Sequence, residues 1–176
     1  HMRLFVSGSA PLLPETFARF EAVTGHRILE RYGMTETNMN TSNPYDGDRR
    51  QGTVGRPLPG VELRITGEDG SPVAPGAAGM IELKGPNVFK GYWRKPEKTA
   101  EDFTADGFFR SGDIGTIDGD GYVSIVGRAK DLVISGGFNV YPKEIELVID
   151  RIPGVEESAV IGVPHPDYGE AVVAGG

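Results

Sequence analysis

Residues 30–40 read ERYGMTETNMN, and the side chains from Tyr32 to Glu36 suit a nucleotide. Tyr32 offers a ring to stack on a purine, Gly33 admits a ligand close to the backbone, and Met34 is a bulky apolar neighbour. Thr35 can hydrogen-bond a phosphate oxygen and Glu36 can hold a hard cation such as Mg²⁺. The same run also reads as a turn with a helix cap, since Thr and Glu after Tyr-Gly satisfy that pattern too. A second acidic run, Asp118-Gly119-Asp120-Gly121, raises calcium. Counted from Asp118, the sixth position is Val123 and the twelfth Ala129, where an EF-hand loop needs glycine and glutamate, so the run is read as a hairpin turn. None of the six lysines (84, 90, 95, 98, 130 and 143) follows a glycine, which leaves no Walker-type phosphate loop.

The elements that must position these residues are legible in outline. Residues 4–6 read as a short buried strand ended by the loop 8–11, and Pro14 opens a helix that Gly25 closes, with Leu13, Phe17 and Phe20 on one face. A second strand from Ile28 leads into Tyr32, giving a right-handed strand–helix–strand unit with the motif at a strand's carboxyl end. Two strands and one helix cannot bury both faces of a parallel sheet, so this unit is expected to be the edge of a larger α/β domain, its apolar face promoting self-association. From Gly52 the texture turns to short alternating segments at 61–66, 80–83, 115–117 and 122–126, a β-barrel-like antiparallel region. Beyond Arg128, segments 132–134 and 138–140 flank Ser135-Gly136-Gly137 as a hairpin. Pro142 opens a helix with Ile145, Val148, Ile149 and Ile152 on one face, Pro153-Gly154 stop it, and strands at 158–163 and 171–174 follow. The expected class is α+β, divided at 1–51, 52–128 and 129–176, the last part being the first half of a small α/β domain.

Composition excludes several functions. At 176 residues with 38% hydrophobic and 24% charged residues, the chain is ordinary for a globular protein. A net charge of −7 gives no basic footprint for nucleic acid or an anionic membrane, and the absence of cysteine excludes disulfides and catalytic thiols. No apolar run approaches a membrane span and no signal-peptide pattern opens the chain, so a cytoplasmic location is the expectation. His1-Met2 reads as a cloning remnant.

Four ordered motifs carry a family resemblance: YGMTE at 32–36, GMIELKGPNVFKGYW at 79–93, FFRSGD at 108–113 and GRAKDLVISGGFNVYPKEIE at 127–146. Together they resemble AMP-forming acyl-CoA synthetases over nearly the whole chain. GSAPL at 8–12 and RYGMTETNMNTSNPYDG are most similar to the malonyl-CoA synthetase branch. The resemblance implies ATP, Mg²⁺ and coenzyme A as partners of a small carboxylate, in a reaction that passes through an acyl-adenylate. Attack of a carboxylate on an α-phosphate brings two anions together, and cations and hydrogen bonds must offset that repulsion. Thr35 and Glu36 would serve catalysis, with Glu36 on the metal. Tyr32, Thr35, Asp113 and Arg128 would hold ATP or AMP, Asp113 accepting from the ribose hydroxyls. Ser135, Gly136 and Gly137 would line the pantetheine tunnel, and Lys130 would be the hinge of the small domain. Ser9, Arg31, Gly33 and Met34 would face the acyl substrate, Arg31 binding a second carboxylate such as malonate's.

Each assignment has a plain structural counterpart. Asp113 is also a turn residue, Arg128 a surface charge, Ser135–Gly137 a tight hairpin, Lys130 an ordinary exposed lysine, and Arg31 a partner for Glu30 or another acid. The resemblance places the family's phosphate loop upstream of residue 1 and its terminal catalytic lysine downstream of Gly176, so the isolated chain is expected to be inactive. Two other functions stay open, an amino-acid-activating adenylation domain and a non-catalytic β-rich binding module.

Overall fold

The computed structural model describes residues 1–176. It divides into two compact units, one of residues 1–111 with 115–125 and the other of residues 112–114 with 126–176.

The first unit begins with strand β1 (Val6–Ser7) and helix α1 (Pro14–Thr24). Proline at the helix start lacks only an N–H that would have no partner there. Gly25 ends the helix in the left-handed region at φ 70° and donates its N–H to the Glu21 carbonyl. Of the expected apolar face, Phe17 is fully buried and Phe20 meets Phe5 edge-on at 4.8 Å, whereas Leu13 is exposed. Strand β2 (Leu29–Met34) pairs in parallel with β1, Val6 opposite Leu29, and antiparallel with β3 (Asn38–Ser42), which itself pairs with the short β4 (Arg56–Pro57). The sheet order is β1-β2-β3-β4, so one parallel pair continues into an antiparallel meander. A buried amide fastens the next loop to it. Asn43 Nδ2 donates to the carbonyls of Glu30 and Thr53, at 3.2 and 2.8 Å, while its Oδ1 accepts from the Arg50 N–H at 2.9 Å.

The second sheet has the order β5 (Glu62–Thr66), β6 (Gly79–Lys84), β7 (Phe109–Ile117), β8 (Val123–Arg128). It is an open four-stranded sheet, so the barrel-like region is not a closed barrel. A short helix α2 (Pro96–Asp102), which the apolar pattern does not announce, lies between β6 and β7. Ile65, Ile81, Leu83 and Val123 form the buried core, with Tyr32, Val54, Val61, Val88 and Ile117 among the half-buried residues against it. The Asp118–Gly121 run is the β7–β8 turn, Asp118 Oδ1 accepting from the Asp120 and Tyr122 amides at 2.9 Å.

In the second unit β9 (Val133–Ser135) and β10 (Phe138–Val140) form a two-residue hairpin, with Gly136 and Gly137 both left-handed at φ 57° and 83°. That geometry is the type I′ turn, which matches strand twist and which glycine adopts without strain. Helix α3 (Pro142–Ile149) follows, then the antiparallel pair β11 (Ala159–His165) and β12 (Gly169–Gly175). Glu146 on α3 accepts from the Val160 N–H at 3.0 Å, and the Ser158 hydroxyl donates to Asp150 at 2.7 Å. Of the expected apolar face, Ile145 and Ile149 are half-buried, whereas Val148 and Ile152 are exposed.

Gly52 and Gly55 bracket the loop into β4, both left-handed, at φ 76° and 80°. A Cβ on Gly52 meets open space, but one on Gly55 would overlap the Ser42 carbonyl and the Asn43 amide. Gly52→Ala should therefore cost only the left-handed strain, about 1–2 kcal/mol. Gly55→Ala adds a backbone collision and should cost at least about 3 kcal/mol. Urea denaturation of the two variants checks this, and equal losses would remove the collision from the account.

Candidate functional site

The predicted site residues fall into two groups, one in each unit. In the first, Tyr32, Gly33 and Met34 lie on β2, and Thr35 and Glu36 form the turn to β3. Tyr32 is half-buried against the core, with its hydroxyl 3.9 Å from Met34 Sδ. The pairing register shifts between Tyr32 and Gly33, a bulge that turns the following residues out of the ladder. No side chain fits at Gly33, because a Cβ there would overlap the Asn38 carbonyl oxygen. Thr35 is exposed, Glu36 half-buried and Thr37 fully buried. The run is thus a strand, a bulge and a turn, with no helix cap.

The Glu36 carboxylate is oriented by a residue far along the chain. Tyr92 donates its hydroxyl to Glu36 Oε1 at 3.3 Å, and the Phe89 N–H donates to the Glu36 carbonyl at 2.8 Å. No cluster of three His, Asp or Glu residues capable of holding a metal exists in the chain. A single carboxylate oxygen fits Mg²⁺ only when phosphate oxygens and water complete its six positions, the mode in which Mg²⁺ binds with nucleotides. Glu36 is suited to that arrangement and to no self-sufficient metal site.

Arg31 lies over the start of the GSAPL loop. A Cβ on Gly8 would lie 3.4 Å from Arg31 Nη1, and Ser9, the next residue, is held left-handed at φ 70°. The register of β1 against β2, Ser7 opposite Glu30, makes this approach unavoidable. The Arg31 guanidinium pairs with no carboxylate, and its polar contact is Met39 Sδ at 2.9 Å. Neighbouring Glu30 is buried, with Oε1 lacking a hydrogen-bond partner, and burial pushes its carboxyl above the usual range against the Gly52 N–H that lowers it. The alternative of an Arg31–Glu30 ion pair is therefore not realised.

In the second unit Asp113 is buried, and Arg128 Nε reaches its Oδ1 at 3.0 Å while remaining largely exposed. Asp113 is a residue of β7, not of a turn, so its burial and its cation are properties of the strand. Lys130 is exposed in the single 3-10 turn Ala129–Asp131 between β8 and β9. Ser135 pairs with Gly169, and the Gly136 N–H donates to the Tyr168 carbonyl at 2.9 Å, so the glycine hairpin is seated on the β11–β12 turn.

Asn87, Phe89 and Tyr92, which contact the Thr35–Thr37 turn and its flank, carried no assigned role in the sequence. Their signal lay in GMIELKGPNVFKGYW, conspicuous as a motif but without an acid, base or nucleophile at a telling spacing.

The Tyr92 phenol is pushed up to about 12, first by burial and next by the Glu36 charge. A folded value above the usual ~10 means that the native state holds this proton more tightly. The associated stability is complete below about pH 10 and is lost as the pH rises through about 12. Phenolate absorbance, with Tyr92→Phe as the reference, should show this late ionisation. Glu36→Gln should move it part of the way down, since burial and the Asp102 carboxylate remain; an unchanged titration would place the Glu36 carboxylate elsewhere.

Comparison with known proteins supplies the family. Residues 1–93 match the AMP-binding enzyme family and residues 144–175 match the AMP-binding enzyme C-terminal domain. The ATP-bound structure of MatB from Rhodopseudomonas palustris is 68% identical with a TM-score of 0.95, over 98% of this chain and 35% of that one. Malonate–CoA ligase of Arabidopsis thaliana is 47% identical over 98% of this chain and 28% of its own length. Sulfoacetate–CoA ligase of Cupriavidus necator is 48% identical over 98% of this chain and 34% of its own length. The chain thus spans about a third of the length of the relatives it matches. With a family match over more than half of its residues and the motifs in register on the same fold, this chain belongs to the AMP-binding enzyme family.

Proposed function

We propose that this chain is part of an AMP-forming acid–CoA ligase that activates malonate through an acyl-adenylate and transfers it to coenzyme A. The observation that carries the reading is Arg31, a half-buried guanidinium beside the GSAPL loop with no acid of its own. Such a cation matches an acid that keeps a second anionic group after its first carboxylate has reacted. Malonate has one, and so does sulfoacetate, whose ligase is as similar to this chain as the malonate–CoA ligase, at 48% against 47% identity. Ser9 would add a hydroxyl to the same anion, with Gly33 and Met34 bounding the acyl side. Tyr32 would stack on adenine, Thr35 would bond a phosphate oxygen and Glu36 would hold Mg²⁺ on the phosphates. Asp113 would accept from the ribose, with Arg128 steadying it. Ser135, Gly136 and Gly137 would admit the pantetheine arm, where the glycine hairpin leaves backbone free of side chains.

In the complete ligase, Arg31→Met should weaken use of malonate far more than use of a monocarboxylate of similar length. Leaving a buried substrate carboxylate unpaired costs about 3–5 kcal/mol, or about two to four decades in kcat/KM. Comparison of kcat/KM for both acids in wild type and variant decides it. Equal losses would assign Arg31 to the fold or the nucleotide.

Lys130 sits in the one short turn between β8 and β9, which suits the hinge role. Proline would fix φ near −65° and remove an N–H there, so Lys130→Pro should spare adenylation and slow thioester formation. Lys130→Ala should leave both steps nearly intact. Single-turnover formation of the adenylate, and its consumption by coenzyme A, separate the two. Equal slowing of both by proline would end the hinge assignment.

A further inference from the structure

The turn that carries Thr35 and Glu36 is held from outside by one segment, residues 87–92, at four points. Asn87 Nδ2 donates to the Thr37 carbonyl at 2.7 Å and to the Met39 carbonyl at 3.2 Å, with Asn40 Oδ1 also 3.2 Å away. The Phe89 N–H donates to the Glu36 carbonyl, and the Tyr92 hydroxyl reaches the Glu36 carboxylate. The segment is itself anchored. Phe89 packs edge-on against Tyr92 and Phe109, at 4.8 and 5.3 Å between centroids, and stacks with Phe103 at 5.8 Å. The Tyr92 N–H donates to Thr99 Oγ1 at 2.9 Å, and Gly91 gives way to the same threonine, since a Cβ there would lie 2.6 Å from its methyl. Bonds to the backbone carbonyls of Glu36, Thr37 and Met39 fix where the turn sits, and the bond to Oε1 fixes how its carboxylate is rotated.

We propose that Asn87 and Tyr92 are positioning residues for the metal-bound nucleotide, Asn87 setting the turn and Tyr92 occupying one carboxylate oxygen so that the other is presented to Mg²⁺. The inference rests on the reading of Glu36 as the metal ligand. Partners of a ligating carboxylate orient it and raise metal affinity, and removing one typically weakens binding by about tenfold or more. A phenol that only filled space would be replaced by phenylalanine without consequence.

The test uses the complete ligase with ATP bound and malonate omitted, so that no turnover occurs. Free Mn²⁺, read by electron paramagnetic resonance, gives the dissociation constant of the metal for wild type, Glu36→Gln, Tyr92→Phe and Asn87→Ala. Tyr92→Phe should weaken Mn²⁺ by about tenfold with an unchanged thermal midpoint. In adenylation assays it should raise the Mg²⁺ concentration needed for half-maximal rate while largely preserving the rate at saturation. Asn87→Ala should weaken Mn²⁺ too, with a lower thermal midpoint because buried carbonyls lose their donor. If Glu36→Gln weakens Mn²⁺ and Tyr92→Phe binds it as wild type does, the positioning role is overturned while the Glu36 reading stands. If Glu36→Gln itself leaves Mn²⁺ affinity unchanged, both fall.

Discussion

Strand β2 is hydrogen-bonded along both edges, in parallel to β1 and antiparallel to β3, and that double constraint fixes the direction of its side chains. Alternation along a strand sends Leu29 and Arg31 to one face and Glu30 and Tyr32 to the other. One strand thereby presents a guanidinium to the GSAPL loop and a phenol ring to the core. A one-residue slip would exchange the two faces, burying Arg31 and exposing Tyr32. The register changes only at the bulge after Tyr32, where Gly33 lies against the Asn38 carbonyl and the chain is released into the Thr35–Glu36 turn.

Most polar groups of this buried segment find partners, although Thr37 Oγ1 and Asn40 Nδ2 do not. Asn40, Thr41 and Asn43 are all buried, and each uncompensated polar atom at such a site costs about 1–3 kcal/mol. Thr41 donates to the Val54 carbonyl at 2.7 Å, Asn43 bridges β2 to the following loop, and Asn87 meets the carbonyls around Asn40. The loop after β3 supplies partners of Thr41 and Asn43, and the segment beyond β6 supplies Asn87. The buried polar strand β3 therefore ties the loop after it and the segment beyond β6 to the same turn.

This dependence on distant partners explains which parts of the chain were legible. Helix α1 was readable from Pro14 and Gly25, and the two hairpins from Asp118–Gly121 and Gly136-Gly137, because the signals are local and backbone geometry demands those residues. Strand β3 was not, since NMNTS has the composition of a loop and is held as a strand by bonds with residues 54, 58 and 87. Strand β7 begins six residues before its apolar run, because Ser111 reaches the Ile81 carbonyl and Asp113 is buried beside Arg128. The 3.6-residue pattern of α3 overstates its buried face, Val148 and Ile152 being exposed. In the site, Thr35 and Glu36 stand out by type and order. Tyr92, 56 positions from Glu36, has no spacing that could announce it.

The treatment of cations separates structural arginines from Arg31. Arg50 meets Asp48, Asp118 and Asp120, Arg64 meets buried Glu82 and Asp106, and Arg128 meets Asp113. Acids outnumber lysines and arginines by 25 to 18, yet none of them pairs with Arg31. Arg31 has instead a thioether, a weak acceptor that leaves most of the guanidinium's donors unused. The nearest acid in sequence, Glu30, is sent to the opposite face by the strand and buried there with an oxygen unpaired. A guanidinium fixed by its strand and already partly withdrawn from water has less ordering and desolvation left to lose when an anion arrives. Its fork of donors then favours a planar, two-oxygen partner over a point charge. The pairing geometry of β2 thus creates an uncommitted cation without any residue being placed to satisfy it, and its donors remain open to an anion from outside the chain.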